Sequence, residues 1–123
     1  MSYIYLASPY SHPNPMVQEF RYLAAMDCTR QLLQNHRWVY SPIVHCHVLA
    51  HNHGMPTDAE FWRDYNEAMI STATELVILG LPDWEKSTGV RFERTHAIAL
   101  GIPTSLIIPE VTPYVEVLRK LAA

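Results

Sequence analysis

The amino-acid sequence predicts an α/β fold: one doubly wound parallel sheet with helices on both faces. Three observations lead there. Apolar runs of strand length alternate with longer stretches of helical periodicity, the pattern of strand-helix-strand units. The run Leu76-Val77-Ile78-Leu79-Gly80-Leu81-Pro82 is continuously apolar, as in a strand buried on both faces. It passes at once into Asp83-Trp84-Glu85-Lys86 and then Ser87-Thr88-Gly89-Val90-Arg91-Phe92-Glu93, a polar loop followed by a capped helix start.

Taken in order, residues 3–7 form the first strand, and Pro9, Pro13 and Pro15 forbid helix until Met16. Residues 16–35 carry Met16, Phe20, Leu23, Ala24, Cys28 and Leu32 at helical spacing, which predicts an amphipathic helix. Residues 37–41 are a second strand rich in Trp38, Val39 and Tyr40, ended by Pro42. Residues 43–53, with His45, Cys46, His47, His51 and His53, read as a polar loop whose histidines flank a pocket. Their density also admits a metal reading, but His45 and His47 converge only if extended, and His47 and His51 only if helical. Thr57-Asp58-Ala59-Glu60 is a capping box that starts a helix. Its predicted inner stripe is Phe61, Tyr65, Ala68, Met69 and Thr72, with Trp62, Asn66 and Ala73 beside it.

The strand beginning at Leu76 is followed by a helix over residues 88–100, stopped by Gly101, then by a fourth strand over 102–108 and a closing helix over 113–122. Right-handed crossovers and this alternation predict strand order 2-1-3-4, a flavodoxin- or Rossmann-like sheet. Strands one and three are then neighbours whose following helices lie on opposite faces, and a ligand site is expected at their carboxyl ends.

The 123 residues and 49% hydrophobic content describe one globular domain, 1–123, with a sizeable core. A net charge of -3 with nine Lys and Arg argues against a nucleic-acid polymer as partner and leaves a single nucleotide open. Two cysteines are too few for a disulfide framework, and the start Met1-Ser2-Tyr3 lacks signal-peptide character, so a cytoplasmic location is expected. No apolar run approaches the roughly 20 residues that span a bilayer.

Three segments should converge on the site: residues 8–11, residues 87–89 and the flank of the Thr57 helix carrying Asn66. Ser87 or Thr88 can cap the fourth helix, Gly89 lets a ligand approach the backbone, and the free N–H groups of the first turn favour an anion. Glu93 falls on the inward stripe of Val90, Ala97, Leu100 and Gly101. It either pairs with Arg94 or His96 or plays a catalytic part. Asn66 is either a satisfied amide at a helix–sheet boundary or a ligand contact.

The start Tyr3-Ile4-Tyr5-Leu6-Ala7-Ser8-Pro9-Tyr10-Ser11, the stretch Ser41-Pro42-Ile43-Val44-His45 and the segment from Trp84 to Glu93 resemble the nucleoside 2-deoxyribosyltransferase superfamily. The likeness is nearest to a functionally undefined branch of short bacterial and phage proteins, and it spans nearly the whole chain. In the superfamily a Gly precedes the nucleophilic Glu by four positions, as Gly89 precedes Glu93. A residue two before that Gly binds the 5′ end of the sugar. It is Asp in the transferases that act on nucleosides and Ser in the deoxynucleoside 5′-monophosphate N-glycosidases, and here it is Ser87. The family's Asp that serves the leaving base aligns with Asn66, and an amide cannot act as a general acid.

The resemblance implies an N-glycosidase acting on a nucleoside 5′-monophosphate without a cofactor. Glu93 would stabilise or attack the oxocarbenium-like C1′ and Tyr5 would orient it, with Ser8, Tyr10, Ser11, Ser87, Gly89, Arg91 and His45 around the substrate and its phosphate. A deoxyribosyltransferase, a nucleotide sensor without turnover and a metal hydrolase using His45, His47 and His51 are the alternatives. The resemblance also implies at least a homodimer, for which Trp62, Tyr65 and Trp84 are candidate interface residues.

Overall fold

A computed structural model describes residues 2–122; Met1, part of the start read above, and Ala123 lie outside it. The elements are β1 (Ile4–Ala7), α1 (Pro15–Gln34), β2 (Val39–Tyr40), α2 (Pro42–His53), α3 (Ala59–Ser71), β3 (Glu75–Leu79), a 3-10 turn (Trp84–Lys86), α4 (Thr88–Ala99), β4 (Thr104–Ile107) and α5 (Pro113–Ala122). The four strands form one parallel sheet in the order β2-β1-β3-β4, as the alternation predicts. Tyr5 stands opposite both Tyr40 and Leu76, which brings the carboxyl ends of β1, β2 and β3 to one edge.

Alternation along the strands sorts the core into two layers. Ile4, Leu6, Val77 and Leu79 cluster with Val17, Ala25, Cys28, Leu32, Val115 and Leu118 of α1 and α5. Tyr5, Ala7, Leu76 and Ile78 cluster on the opposite face with Ile70, Ala73, Val90 and Ala97, next to α3 and α4. The helices after β1 and β3 therefore cover opposite faces, which creates the crevice expected between those two strands.

The predicted α1 stripe holds at Ala24, Cys28 and Leu32 and fails at Met16, whereas the α3 stripe is turned on its axis. In α1 the buried set is Val17, Arg21, Tyr22, Ala24, Ala25, Cys28 and Leu32, while Met16 is exposed. In α3 the deepest position is Ile70, and Phe61, Tyr65, Ala68 and Thr72 are exposed. Both helices carry apolar residues on adjacent stripes, so spacing alone does not select between them. Leu100, assigned inward, is also exposed.

The larger correction is the histidine-rich segment, which is helix α2 rather than a loop. Ser41 caps it by accepting from the Val44 N–H at 3.2 Å, Pro42 occupies the first turn, and Gly54 ends it at φ 69°. These are ordinary start and stop signals, outweighed in the sequence reading by the polarity between them. For α3 the cap is Asp58, whose carboxylate accepts from the Phe61 N–H at 3.0 Å, one residue after the expected Thr57.

Candidate active site

A cleft of about 200 Å³ opens at the carboxyl ends of β1, β2 and β3. All three expected segments line it: Ser8, Tyr10 and Ser11 after β1, Ser87, Thr88 and Gly89 at the start of α4, and Trp62, Arg63 and Asn66 on α3. A fourth wall comes from Tyr40 at the end of β2 and from Pro42, Ile43 and Cys46 of α2. The sequence places this segment beside a pocket through its histidines; as a helix it presents Pro42, Ile43 and Cys46 to the cleft instead.

Glu93 closes the floor. It lies one turn into α4, on the stripe of Val90 and Ala97, and is 7% exposed. The Tyr5 hydroxyl, on a fully buried side chain, donates a hydrogen bond to Glu93 Oε2. Among the described residues no ion pair involves Glu93, so Arg94 and His96 do not supply the partner that would make it a structural acid. Burial pushes its carboxyl up to about 7, against the lowering effect of the Tyr5 hydrogen bond. Burial and the neighbouring Glu93 carboxylate raise the Tyr5 phenol far above its usual range, so it remains a donor. A buried carboxylate with a raised pKa on the floor of a cleft is a candidate catalytic group.

Polar atoms around the cleft are left without partners. Among the described residues Ser8 Oγ, Tyr40 Oη and Asn66 Oδ1 are buried with no hydrogen bond. Tyr40 lies beside Tyr65, with ring centroids 6.1 Å apart, but no hydrogen bond of normal geometry joins them. Folded proteins satisfy most such groups, and three of them lie on this one cleft. The loop bearing Ser8 and Ser11 is held by Arg21, whose Nη1 donates to the carbonyl oxygens of Ser11 at 3.0 Å and Tyr10 at 3.4 Å.

The start of α4 has the features of an anion seat. Ser87 Oγ accepts from the Val90 N–H at 3.2 Å and keeps its own hydrogen to donate. The N–H groups of Thr88 and Gly89 belong to the first turn and have no intrahelical acceptor. A Cβ built on Gly89 would meet only Ser87 Oγ, at 3.8 Å, so the space above this backbone is open to a ligand. Lys86, also on the wall, lies 3.4 Å from Asp83.

Two expected ligand contacts are not on the cleft. Arg91 is exposed and borders a shallow groove behind Ser87 with Trp84, Arg94 and Ile98. It stands one residue past the capped turn, and helical rotation carries it to the outer side of α4. His45 is exposed and stacks on Tyr65 at 5.5 Å between centroids, outside the wall. The other histidines of α2 diverge from it: His47 is buried against α1, where its ring stacks on Tyr22 at 3.9 Å, and His51 reaches Tyr10. Among the described residues no group of three or more His, Cys, Asp or Glu is placed to hold a metal ion.

Phe92 and Trp62 add aromatic surface to the cleft, and the Arg63 guanidinium sits 5.4 Å over the Phe92 ring. No helix among the described residues is long and apolar enough to cross a membrane. No curated protein matches the chain. The family model described as "Domain of unknown function (DUF1937)" matches residues 2–108, from before β1 through β4 and so across every cleft residue, and the chain belongs to that family.

Proposed function

We propose that the chain is an N-glycosidase that hydrolyses the base–sugar bond of a nucleoside or deoxynucleoside 5′-monophosphate, and that its resemblance to the nucleoside 2-deoxyribosyltransferase superfamily reflects shared chemistry. The observation that carries this reading is Glu93: a buried carboxylate without a cation, hydrogen-bonded by Tyr5, on the floor of a cleft. Breaking the C1′–N bond develops positive charge on the sugar, and an ionised carboxylate beneath it stabilises that charge or attacks C1′. Water exclusion strengthens the effect.

The remaining walls fit the rest of such a substrate. Ser87 with the free N–H groups of α4 suits a 5′-phosphate, and Ser8 and Ser11 offer further hydroxyl donors. Trp62 and Phe92 offer faces for a base, and Asn66 Oδ1 lacks the donor that a base or sugar would supply. At about 200 Å³ the cleft is smaller than the roughly 300–1,000 Å³ that encloses a whole small ligand, so a nucleotide overhangs its mouth. Phe61 and Tyr65 stand exposed on α3, their rings 5.1 and 5.9 Å from that of the wall residue Trp62, and a second copy of the chain covering them would complete the pocket as a homodimer. A monomer by light scattering would contradict that part. The two free, buried cysteines suit a cytoplasmic protein.

The test is incubation with a panel of nucleoside monophosphates, nucleosides and their deoxy forms, with free base read by chromatography. Base release from a monophosphate supports the proposal. Release only when a second base is supplied points to a transferase, and binding without release points to a sensor.

A further inference from the structure

A departing base leaves C1′ readily when it is protonated, and Asn66 has no acidic proton to give. Tyr10, on the same cleft, is placed differently. Its hydroxyl lies 2.6 Å from Nδ1 of His47 and 3.1 Å from Nε2 of His51, and Nε2 of His47 lies 3.0 Å from Oε2 of Glu19. The line of contacts starts at a side chain on the cleft wall, passes through a buried ring, and ends at a Glu19 side chain that is 54% exposed.

Directions along this line follow from the groups. A carboxylate only accepts, so Nε2 of His47 carries a hydrogen, and in the neutral ring Nδ1 then accepts from the Tyr10 hydroxyl. If the ring gains a second proton, Nδ1 becomes the donor and the phenolic hydrogen is freed for another acceptor. Protonation of His47 therefore reverses the bond at the inner end. The phenolic oxygen has three hydrogen-bonding positions, of which the two histidines occupy two, and one is left for a ligand.

The surroundings bear on the charge states. From α2 come His47, His51 and Cys46; from α1 come Glu19, Tyr22 stacked on His47, and Arg21 bound to the Tyr10 carbonyl oxygen. Burial pushes the Tyr10 phenol up to about 12, with Cys46 and Glu19 acting the same way, so it stays protonated. Burial lowers the His47 imidazole, which the Glu19 hydrogen bond opposes and His51 reinforces. The imidazolium is thus a form reached on the acid side of neutrality.

We propose that Tyr10, His47 and Glu19 form a proton relay, in which Tyr10 protonates the departing base and then takes a proton from the water that follows. This rests on the N-glycosidase reading of the cleft. In the first half a carboxylate oxygen of Glu93 bonds to C1′ as the electron pair of the C1′–N bond goes to the base, the phenolic proton moves to that nitrogen, and the Nδ1 proton of His47 replaces it on Tyr10. The ring is left neutral, with its remaining hydrogen directed at Glu19. In the second half the water oxygen bonds to C1′, the pair held by Glu93 returns to its carboxylate, one water proton passes to Tyr10, and the proton of Tyr10 passes to Nδ1. The imidazolium is restored and nothing is oxidised or reduced. Tyr10 is the catalytic member; His47 and Glu19 are positioning residues.

The test compares a purine nucleoside 5′-monophosphate with its N7-methylated form, whose base departs neutral without an added proton. In a single turnover, where only the first half is read, Tyr10→Phe should lower the rate of base release from the unmodified nucleotide by on the order of 10²–10⁴-fold and lower that from the methylated one far less. His47→Gln should act in the same direction, with KM little altered and without the fall in rate that the wild type shows as pH rises past the relay's titration. Equal losses on both substrates would overturn the proposal. Failure of the wild type to release either base would overturn the N-glycosidase reading instead. In that event the nitrogen NMR shifts of His47 still judge the relay: the Nε2-protonated tautomer is expected at neutral pH, and the Nδ1-protonated tautomer would refute it.

Discussion

On the α1/α5 face of the sheet, Leu6, Val77 and Leu79 form one apolar cluster with Ala25, Leu32, Val115 and Leu118. On the α3/α4 face, the layer begun by Tyr5, Ala7, Leu76 and Ile78 runs at its carboxyl end into Glu93, Tyr40 and Asn66. The first face is apolar except at Arg21, whose Nε is buried without a hydrogen bond among the described residues. The second buries a carboxylate without a cation and leaves polar atoms unpaired, each a cost to folding on the order of 1–3 kcal/mol. Unpaired buried groups cluster at functional sites, so under the proposed function the contrast between two faces of one sheet is a better guide to the site than the cleft's size is.

The contrast can be broken by substitution, the largest effect first. Leu6→Ala on the apolar face should destabilise the protein by about 2–5 kcal/mol at every pH, read by urea denaturation. A loss confined to one pH range would mean that this face is not the inert layer described. Ser87→Asp should weaken binding of a nucleoside 5′-monophosphate by one to several kcal/mol, roughly the effect of an unpaired charge set against a phosphate, and weaken the nucleoside less. Calorimetry that finds the ratio of the two affinities unchanged would place the phosphate elsewhere.

Glu93→Gln tests the other face through stability. The native carboxyl is raised to about 7 from an ordinary 4.5, so between those values the folded state binds more protons than the unfolded state. Wild-type stability should therefore fall as pH rises through this window, with the full cost present above it. The Gln variant, which has no charge to bury, should be more stable than wild type by on the order of 3 kcal/mol near pH 8 and nearly equal to it near pH 4. A constant difference at both pH values would remove the titration from Glu93. The smallest effect belongs to Tyr5→Phe. Loss of its hydrogen bond should raise the Glu93 carboxyl further, by about one pH unit or less, and move the acid limb of kcat/KM to higher pH. An unmoved limb would deny Tyr5 its orienting part.

Much of this contrast is legible in the sequence. Alternating patterns set the strand order, and the spacing of Val90, Glu93 and Ala97 places an acid among inward positions. Ser87, Gly89, Ser8 and Asn66 reach one cleft because chain topology brings the carboxyl ends of β1 and β3 together. What was not legible depends on how helices turn and meet. Phe61 and Tyr65 share helical spacing with the true inner residues, so periodicity alone placed them in the core when they stand at its rim. Arg91 is two positions from Gly89, yet a rotation of about 200° separates them on the helix. The Tyr10, His47 and Glu19 line joins three elements through contacts that no local pattern encodes. Only the helical state of its middle member was recoverable, from Ser41, Pro42 and Gly54.

The central claim is that the ionised Glu93 carboxylate drives cleavage of a glycosidic bond, and the most direct measurement is free-base release by wild type and Glu93→Gln in parallel, with the fold of each verified by circular dichroism. Wild type should liberate base from a nucleoside 5′-monophosphate, with an acid limb that follows the ionisation of Glu93, while the folded Gln variant should be slower by on the order of 10³-fold. Equal release by the two proteins would contradict the account.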